Sequence, residues 1–394
     1  MLLDQIISIM PMFVCLFWAI VLMADRRAVL AKRYLSFFFL VISVNYFVHA
    51  TFFSHQYSLY AFMDNIWMFT STASFPLFYY YIRLLTIDLK IDYRWVWILA
   101  PAVLISIFSF TLYYLMSPDE LTYFVQGIMY RQSELDRPES YLIDLQILKN
   151  NFYKIVFVSQ AILTLFHSSK LINKYNEEVQ EFYSAQDGRD MRMFKWVVVS
   201  LIFISIVSAL SSVLGREFFV NKDILLIVPS LFFSSFLFFI GYIAVRQNFT
   251  IREFLAEVDK YNHNEKLDQD EDEYENNFVD IHNPYNISVE QLNQLMKEAQ
   301  LFKRSDLKIT DVAHQLNTNR TYVSKIINDV NQTNFNDWVN GYRVEEAERL
   351  LKDDSYSKLS MLEISEMSGF ASISAFYRVF KEKTGLSPGK YRSQ

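Results

Sequence analysis

The sequence predicts an all-α protein in two unlike parts: a bundle of seven transmembrane helices, then a soluble domain carrying two helix-turn-helix motifs in tandem. Three observations predict it. Before Val245 the chain is apolar and rich in aromatic residues with sparse charge, and after Arg246 it has an ordinary soluble composition. The first part breaks into seven apolar stretches of bilayer-crossing length, at about 6–24, 35–53, 62–84, 95–116, 152–169, 196–214 and 224–245. The last part twice repeats a short amphipathic helix, a turn and a second helix, with the second helices starting near Arg320 and Ile373. The expected limits are 1–245 for the membrane part, 246–284 for an amphipathic helix and acidic linker, and 285–394 for the soluble domain.

Within the spans few charges fall near the centre, whereas a soluble core helix would be shorter and would keep one polar face. The basic residues alternate between the two sides. Arg26, Arg27, Lys32 and Arg33 follow the first span, Lys90 and Arg94 the third, Lys170, Lys174, Arg189, Arg192 and Lys195 the fifth, and Arg246 and Arg252 the seventh. The remaining connections are poorer in Lys and Arg, or, in 117–151, carry more acid than base. Basic residues favour the cytoplasmic side, so the N-terminus is expected outside and the C-terminus in the cytoplasm of a bacterial inner membrane. The first segment lacks a basic start and reads as a retained helix rather than a signal peptide.

Small residues stripe the sixth span (Ser205, Ser208, Ala209, Ser212) and the seventh (Ser230, Ser234, Gly241), as helix–helix seams do. Pro76, Pro101 and Pro229 fall inside spans and should kink them. Asn45 and His49 are four apart on one face of the second span, and Asp64 opens the third. Polar groups at that depth face a bundle interior or a wet cavity, so these three are candidate ligand residues for an unknown signal. An interhelical hydrogen bond, with Asp64 simply at the interface, is the competing reading.

The single cysteine, Cys15, excludes a disulfide framework and a multi-cysteine metal site. No phosphate-cradling glycine loop and no HExxH occur. Asp268, Asp270 and Asp272 begin like a calcium loop, but Glu273 stands where the turn glycine is required and Val279 where the last carboxylate belongs. No enzyme, metal or cofactor is expected. A seven-helix receptor or transporter with a regulatory tail is the rival; no internal repeat and no buried charge network are legible to support transport.

In 250–261 the spacing of Ile251, Phe254, Leu255, Val258 and Tyr261 predicts an amphipathic helix continuing the seventh span. It is expected to extend that span as a rod, pair with a second copy in a homodimer, or lie on the bilayer. Residues 262–283 are acidic and nearly devoid of apolar side chains, the composition of a self-repelling tether.

Ser288 and Gln291 form a capping-box opening. Ile309, Val312, Ala313 and Leu316 give a first helix its buried face. Asn317 suits a left-handed turn, Asn319 caps the next helix, and Val323, Ile326 and Ile327 bury that helix's inner side. Arg320, Thr321, Ser324 and Lys325 then point outward. Phe335, Trp338, Val339, Tyr342, Ala347, Leu350 and Leu351 define a joining helix. The second motif uses Leu362, Ile364 and Met367, Gly369 at the turn, Ser372 as cap, and Phe376 and Phe380 as core. Ile373, Ser374, Ala375, Tyr377, Arg378 and Lys381 form its exposed side.

The string Gly369-Phe370-Ala371-Ser372-Ile373-Ser374-Ala375-Phe376-Tyr377-Arg378-Val379-Phe380-Lys381, with Gly385-Leu386-Ser387-Pro388 and Tyr391-Arg392, resembles the signature closing AraC/XylS-type transcription regulators. The resemblance covers roughly the last 105 residues. It implies binding of double-stranded DNA, with Thr321, Ser324 and Lys325 in the first helix and Ile373, Ser374, Ala375 and Arg378 in the second at base-reading positions. Ser365 departs from the family's usual alanine, Ile327 from an aromatic and Ser368 from an apolar residue, so the second helix pair should pack slightly less well. The domain from Pro284 on is about neutral, with fifteen Lys/Arg against fourteen Asp/Glu, so bulk charge is a weak footprint and the motifs carry the DNA reading. The combination points to a membrane-embedded one-component regulator whose input is a ligand at the bilayer.

Overall fold

The structure is a computed structural model that describes residues 2–25, 28–53, 56–130, 132, 135–186, 188–191, 193–200, 203, 206–207, 223–247, 249–259 and 287–394. The chain divides into two compact units, one made of Met1–Asn173 and Met191–Ile251, the other of Lys174–Asp190 and Arg252–Gln394. Among the described residues every element is helical and no strand forms; an isolated bridge joins Tyr183 to Lys308.

The first unit holds α1 (Leu2–Ala24), α2 (Leu30–Phe53), α3 (Tyr57–Thr86), a 3₁₀ turn (Tyr93–Leu99), α4 (Ala100–Leu115), α5 (Pro118–Thr122), a π turn (Tyr123–Met129), most of α6 (Tyr141–Phe182), α7 (193–200) and α8 (Asp223–Arg246). Apolar faces on consecutive helices pack in sequence: α1 on α2, α2 on α3, α3 on α4, with α8 closing against α1. Gly241 makes that last contact possible. A Cβ there would lie 2.2 Å from the Trp18 ring, so α8 can approach α1 this closely only without a side chain. Ser230 and Ser234 are buried on the same helix, as a small-residue seam requires. The corresponding stripe on the predicted sixth span, Ser205, Ser208, Ala209 and Ser212, lies outside the described residues, as does the acidic stretch 262–283.

Among the described residues four segments are long and apolar enough to cross a membrane: Leu30–Phe52, Tyr93–Leu115, Tyr141–Phe182 and Ile227–Asp259. The 30-residue α3 is not among them, because its tyrosines, Asp64, Asn65 and Arg83 lower its hydropathy. Pro76 and Pro229 do sit inside helices, but Pro101 occupies the first turn of α4, where its missing N–H is one the helix would leave unpaired anyway.

The connection 117–151, which reads as an acidic loop, is largely folded. Ser117 and Glu120 cap α5 reciprocally, and Tyr130 stacks on Phe52 at 4.1 Å while its hydroxyl donates to the Phe52 carbonyl at 2.7 Å. Its apolar residues Leu121, Phe124, Val125 and Ile128 stand at helical spacing and, with Ile143, fill one cluster with Phe52 and Tyr60.

In the second unit the last turns of α6 stand beside α9 (251–259), α10 (Val289–Glu298), α11 (Ile309–Gln315), α12 (Arg320–Asn331), α13 (Phe335–Lys352), α14 (Met361–Met367), α15 (Ile373–Thr384) and α16 (Pro388–Arg392). The helix 250–261 does not continue the seventh span: α8 ends at Arg246, and 247, 249 and 250 are not helical. Phe254 and Val258 are buried within the chain, Phe254 edge-on to Phe182 at 5.5 Å, rather than left for a second copy or a lipid surface.

Candidate nucleic-acid interface

Each helix-turn-helix is set by its turn. Between α11 and α12, Asn317 takes φ 50°, the left-handed conformation its short polar side chain tolerates, and the Thr318 N–H returns to the Ala313 carbonyl at 3.0 Å. Asn319 then caps α12, its side-chain oxygen accepting from the Tyr322 N–H at 2.9 Å. Val323 and Ile327 are fully buried on the inner side and Ile326 is half-buried. On the outer side Thr321 and Lys325 are exposed, while Arg320 and Ser324 are half-buried.

Between α14 and α15 the turn is Gly369, at φ 86°, with Ser372 capping α15 by accepting from the Ala375 N–H at 3.2 Å. Ile373, Ser374, Arg378 and Lys381 are exposed and Ala375 is half-buried. Arg378 lies 3.7 Å from Glu382 one turn on. The core beneath is Ile364, Phe370, Phe376, Val379 and Phe380 against Val344, Ala347, Leu350 and Leu351 of α13. Leu362 and Met367 do not belong to it. Both are exposed, because α14 has only two turns and buries 364, 365 and 368, which is the face that meets α13 and α15.

Ser365 and Ser368 share that buried face. Ser368 donates to the Ile364 carbonyl at 2.7 Å, but the Ser365 hydroxyl is buried with no hydrogen-bond partner. An orphaned buried hydroxyl costs roughly 1–3 kcal/mol. Ser365→Ala should therefore raise the chemical-denaturation midpoint of this unit, by about 1 kcal/mol in stability. Unchanged or lowered stability would show that the hydroxyl is satisfied.

Sequence reasoning missed the side chain at the middle of this unit. Arg343 on α13 is 1% exposed. Its Nε donates to the Phe302 carbonyl at 2.8 Å, Nη2 to the Arg304 carbonyl at 2.8 Å and the Ser184 hydroxyl at 2.9 Å, and Nη1 to the Ser184 carbonyl at 2.8 Å. Burial pushes its pKa down to about 10, which still leaves the guanidinium charged at neutral pH. Asn336 adds a bond to the Ser184 carbonyl at 2.9 Å, and the Ser184 N–H donates to the Leu307 carbonyl at 3.0 Å. Nearby, Glu257 of α9 accepts from Lys308 at 2.6 Å and Tyr183 at 3.0 Å. Burial alone would raise its pKa, but those two partners outweigh it and hold the carboxyl below its usual range. An arginine in an amphipathic joining helix reads as solvent-facing, and the partner segment 183–184 lies far away in sequence, so no local signal exposed the pairing.

In the first unit the three candidate ligand residues separate. Asn45 and His49 line one cavity of about 160 Å³, walled by Phe38, Trp67, Phe75 and Phe236. The Asn45 amide donates to the Thr70 hydroxyl at 3.0 Å. Asp64 lies elsewhere, fully buried two turns inside α3 rather than at its opening, and accepts from Tyr60 at 2.9 Å and Tyr113 at 3.0 Å. Lys149 is buried beside it, 5.3 Å from the Tyr113 ring centroid and donating to Ser109 at 2.9 Å. A buried acid and a buried lysine thus share Tyr113, the acid through its hydroxyl and the lysine over its ring, where no buried charge network was expected. The lysine comes from the stretch that reads as a loop, so the sequence offers nothing to pair with Asp64.

A helix-turn-helix domain family model matches residues 312–394. The Msm operon regulatory protein of Streptococcus mutans is 32% identical over 103 residues, which are 26% of this chain and 36% of that protein. The probable transcription factor PqrA of Proteus vulgaris is 28% identical over 103 residues, 26% of this chain and 82% of that one. Among solved structures, the C-terminal domain of AraT, a response regulator from Geobacillus stearothermophilus, is 30% identical, covers 27% of this chain and 87% of that one, and has a TM-score of 0.25. The chain spans only about a third of the length of the Streptococcus relative. The C-terminal region is an AraC-type helix-turn-helix domain whose relatives are transcription regulators rather than enzymes.

Proposed function

We infer that the chain is a one-component transcription regulator held in a bacterial inner membrane, with seven spans, the N-terminus outside and the C-terminus in the cytoplasm. The observation that carries this reading is the joining, in one chain, of helices apolar enough to cross a bilayer to a tandem helix-turn-helix domain with an exposed α15. Arg320, Thr321, Ser324 and Lys325 of α12 and Ile373, Ser374, Ala375, Arg378 and Lys381 of α15 contact double-stranded DNA. The two helices enter successive major grooves on one face of the duplex, about 34 Å apart, and protect roughly 20 bp. The rigid α13 between them obliges the DNA to bend. The signal is a small, mostly apolar ligand in the Asn45–His49 cavity, whose aromatic walls and few polar groups suit such a molecule. A homodimer strengthens DNA binding through effective concentration, since each near-neutral domain neutralises few phosphates.

One observation favours a second reading, a transporter or receptor with a regulatory tail: the buried Asp64–Tyr113–Lys149 chain is the kind of polar path that transport uses. Topology is the first test. Reporter fusions after Ser117, Gly188 and Val220 should read outside, inside and outside. The reverse pattern would put the tail where no DNA lies and end the regulator reading.

A further inference from the structure

We propose that the second unit is a closed, autoinhibited state in which the acidic end of α6 covers the DNA-reading face of α12. The proposal rests on the reading that α12 reads DNA. Three of the side chains on that face are occupied. The Ser324 hydroxyl donates to Glu181 Oε2 at 2.9 Å, and Asn328, one turn on, donates to Glu181 Oε1 at 3.5 Å. The Arg320 guanidinium carbon lies 5.9 Å from the Phe182 ring centroid. Asn334, at the start of α13, reaches Gln180 at 3.4 Å. Glu177, Glu178 and Glu181 line one side of a groove whose other side is Arg320, Thr321 and Ser324.

A duplex needs that same face for its base edges and phosphates. Carboxylates there both fill the space and repel an approaching phosphate. The second motif has no such cover among the described residues: Ile373, Ser374, Arg378 and Lys381 are exposed. The asymmetry matters because a one-sided contact would leave one helix able to touch DNA while denying the paired grip that specific binding needs.

The cover is fastened from behind. Ser184, three residues past Glu181, is gripped by Arg343, Asn336 and the Leu307 carbonyl. Glu257 of α9 ties Tyr183 to Lys308, and Phe254 packs on Phe182. The covering carboxylates belong to α6, whose earlier residues form the predicted fifth span, so a shift or rotation of that helix lifts them from α12. Opening needs no unfolding of α12, because its Asn319 cap lies within the motif and the helix packs on α10, α11 and α13.

The test uses the full chain in lipid nanodiscs and short random-sequence duplexes at low salt. Glu177→Gln with Glu181→Gln removes two of the three covering charges, including the one bonded to Ser324, and leaves every predicted DNA contact in place. It should bind about tenfold tighter, the loss of a charge-assisted contact worth one decade in affinity. Charge removal by itself also favours DNA, so a second arm holds charge constant. The Gln180→Cys/Asn334→Cys chain, whose cysteines lie outside the predicted DNA contacts, should when joined by a short bismaleimide lose binding that the same chain with both cysteines capped by N-ethylmaleimide retains. Equal binding by the joined and capped chains, or by the wild type and the glutamine variant, overturns the proposal while leaving the DNA reading intact. No binding by any of these chains overturns both.

Discussion

Arg343→Ala should unfold the second unit or bring it close to unfolding, at a cost of roughly 3–5 kcal/mol. The arginine is not an ion pair but the shared donor for the Phe302, Arg304 and Ser184 carbonyls and the Ser184 hydroxyl, all bonded at 2.8–2.9 Å. Truncation leaves those acceptors buried and opens a cavity at the centre of the unit, two penalties that add. Arg343→Lys should recover little, because one ammonium cannot span three carbonyls set by a planar fork. Thermal unfolding of the unit followed by circular dichroism checks this. A loss below about 1 kcal/mol would mean water replaces the guanidinium and that the fastening at Ser184 is superficial.

Gly369→Ala should cost about 2–5 kcal/mol, combining left-handed strain with overpacking. At φ 86° an alanine is strained, and its Cβ would lie 2.3 Å from the Phe302 carbonyl oxygen and 2.6 Å from Lys303 Cα. Both are backbone atoms, which cannot swing aside. That same Phe302 carbonyl accepts from Arg343, so the turn of the second motif and the buried arginine press on one point. The double variant should therefore lose less than the two single losses summed, a coupling that a double-mutant cycle reads. Strict additivity would show that the two contacts are independent.

What the sequence made legible is what repeats or punctuates. The capping box at Ser288, the left-handed Asn317, the caps Asn319 and Ser372 and the turn Gly369 each obey a local rule, and each is found in place. Both recognition helices follow from apolar spacing on a single helix. What was hidden depends on segments distant in the chain. Arg343 meets Ser184, Ser324 meets Glu181, and Lys149 lies near Asp64, all with partners that no periodicity can name. Leu362 and Met367 misled for a related reason: in a two-turn helix, apolar side chains on the wrong arc are as frequent as on the right one, and only the packing of α13 and α15 decides. The helix at 251–259 was legible as amphipathic, but its cover, Phe182, was not.

The central claim is that one chain both resides in the membrane and reads DNA. The most direct measurement is to crosslink cells, wash the membrane fraction, recover the chain and sequence the DNA bound to it, comparing wild type with Arg378→Ala. The account predicts discrete sites of about 20 bp from the membrane fraction. Arg378→Ala should relax base preference within the site, at a cost of about 1–3 kcal/mol, as loss of a guanine-edge contact does. Uniform weakening at all sites would make Arg378 a phosphate contact. Recovery of the chain away from membranes, or of DNA without site preference from wild type, would contradict the account.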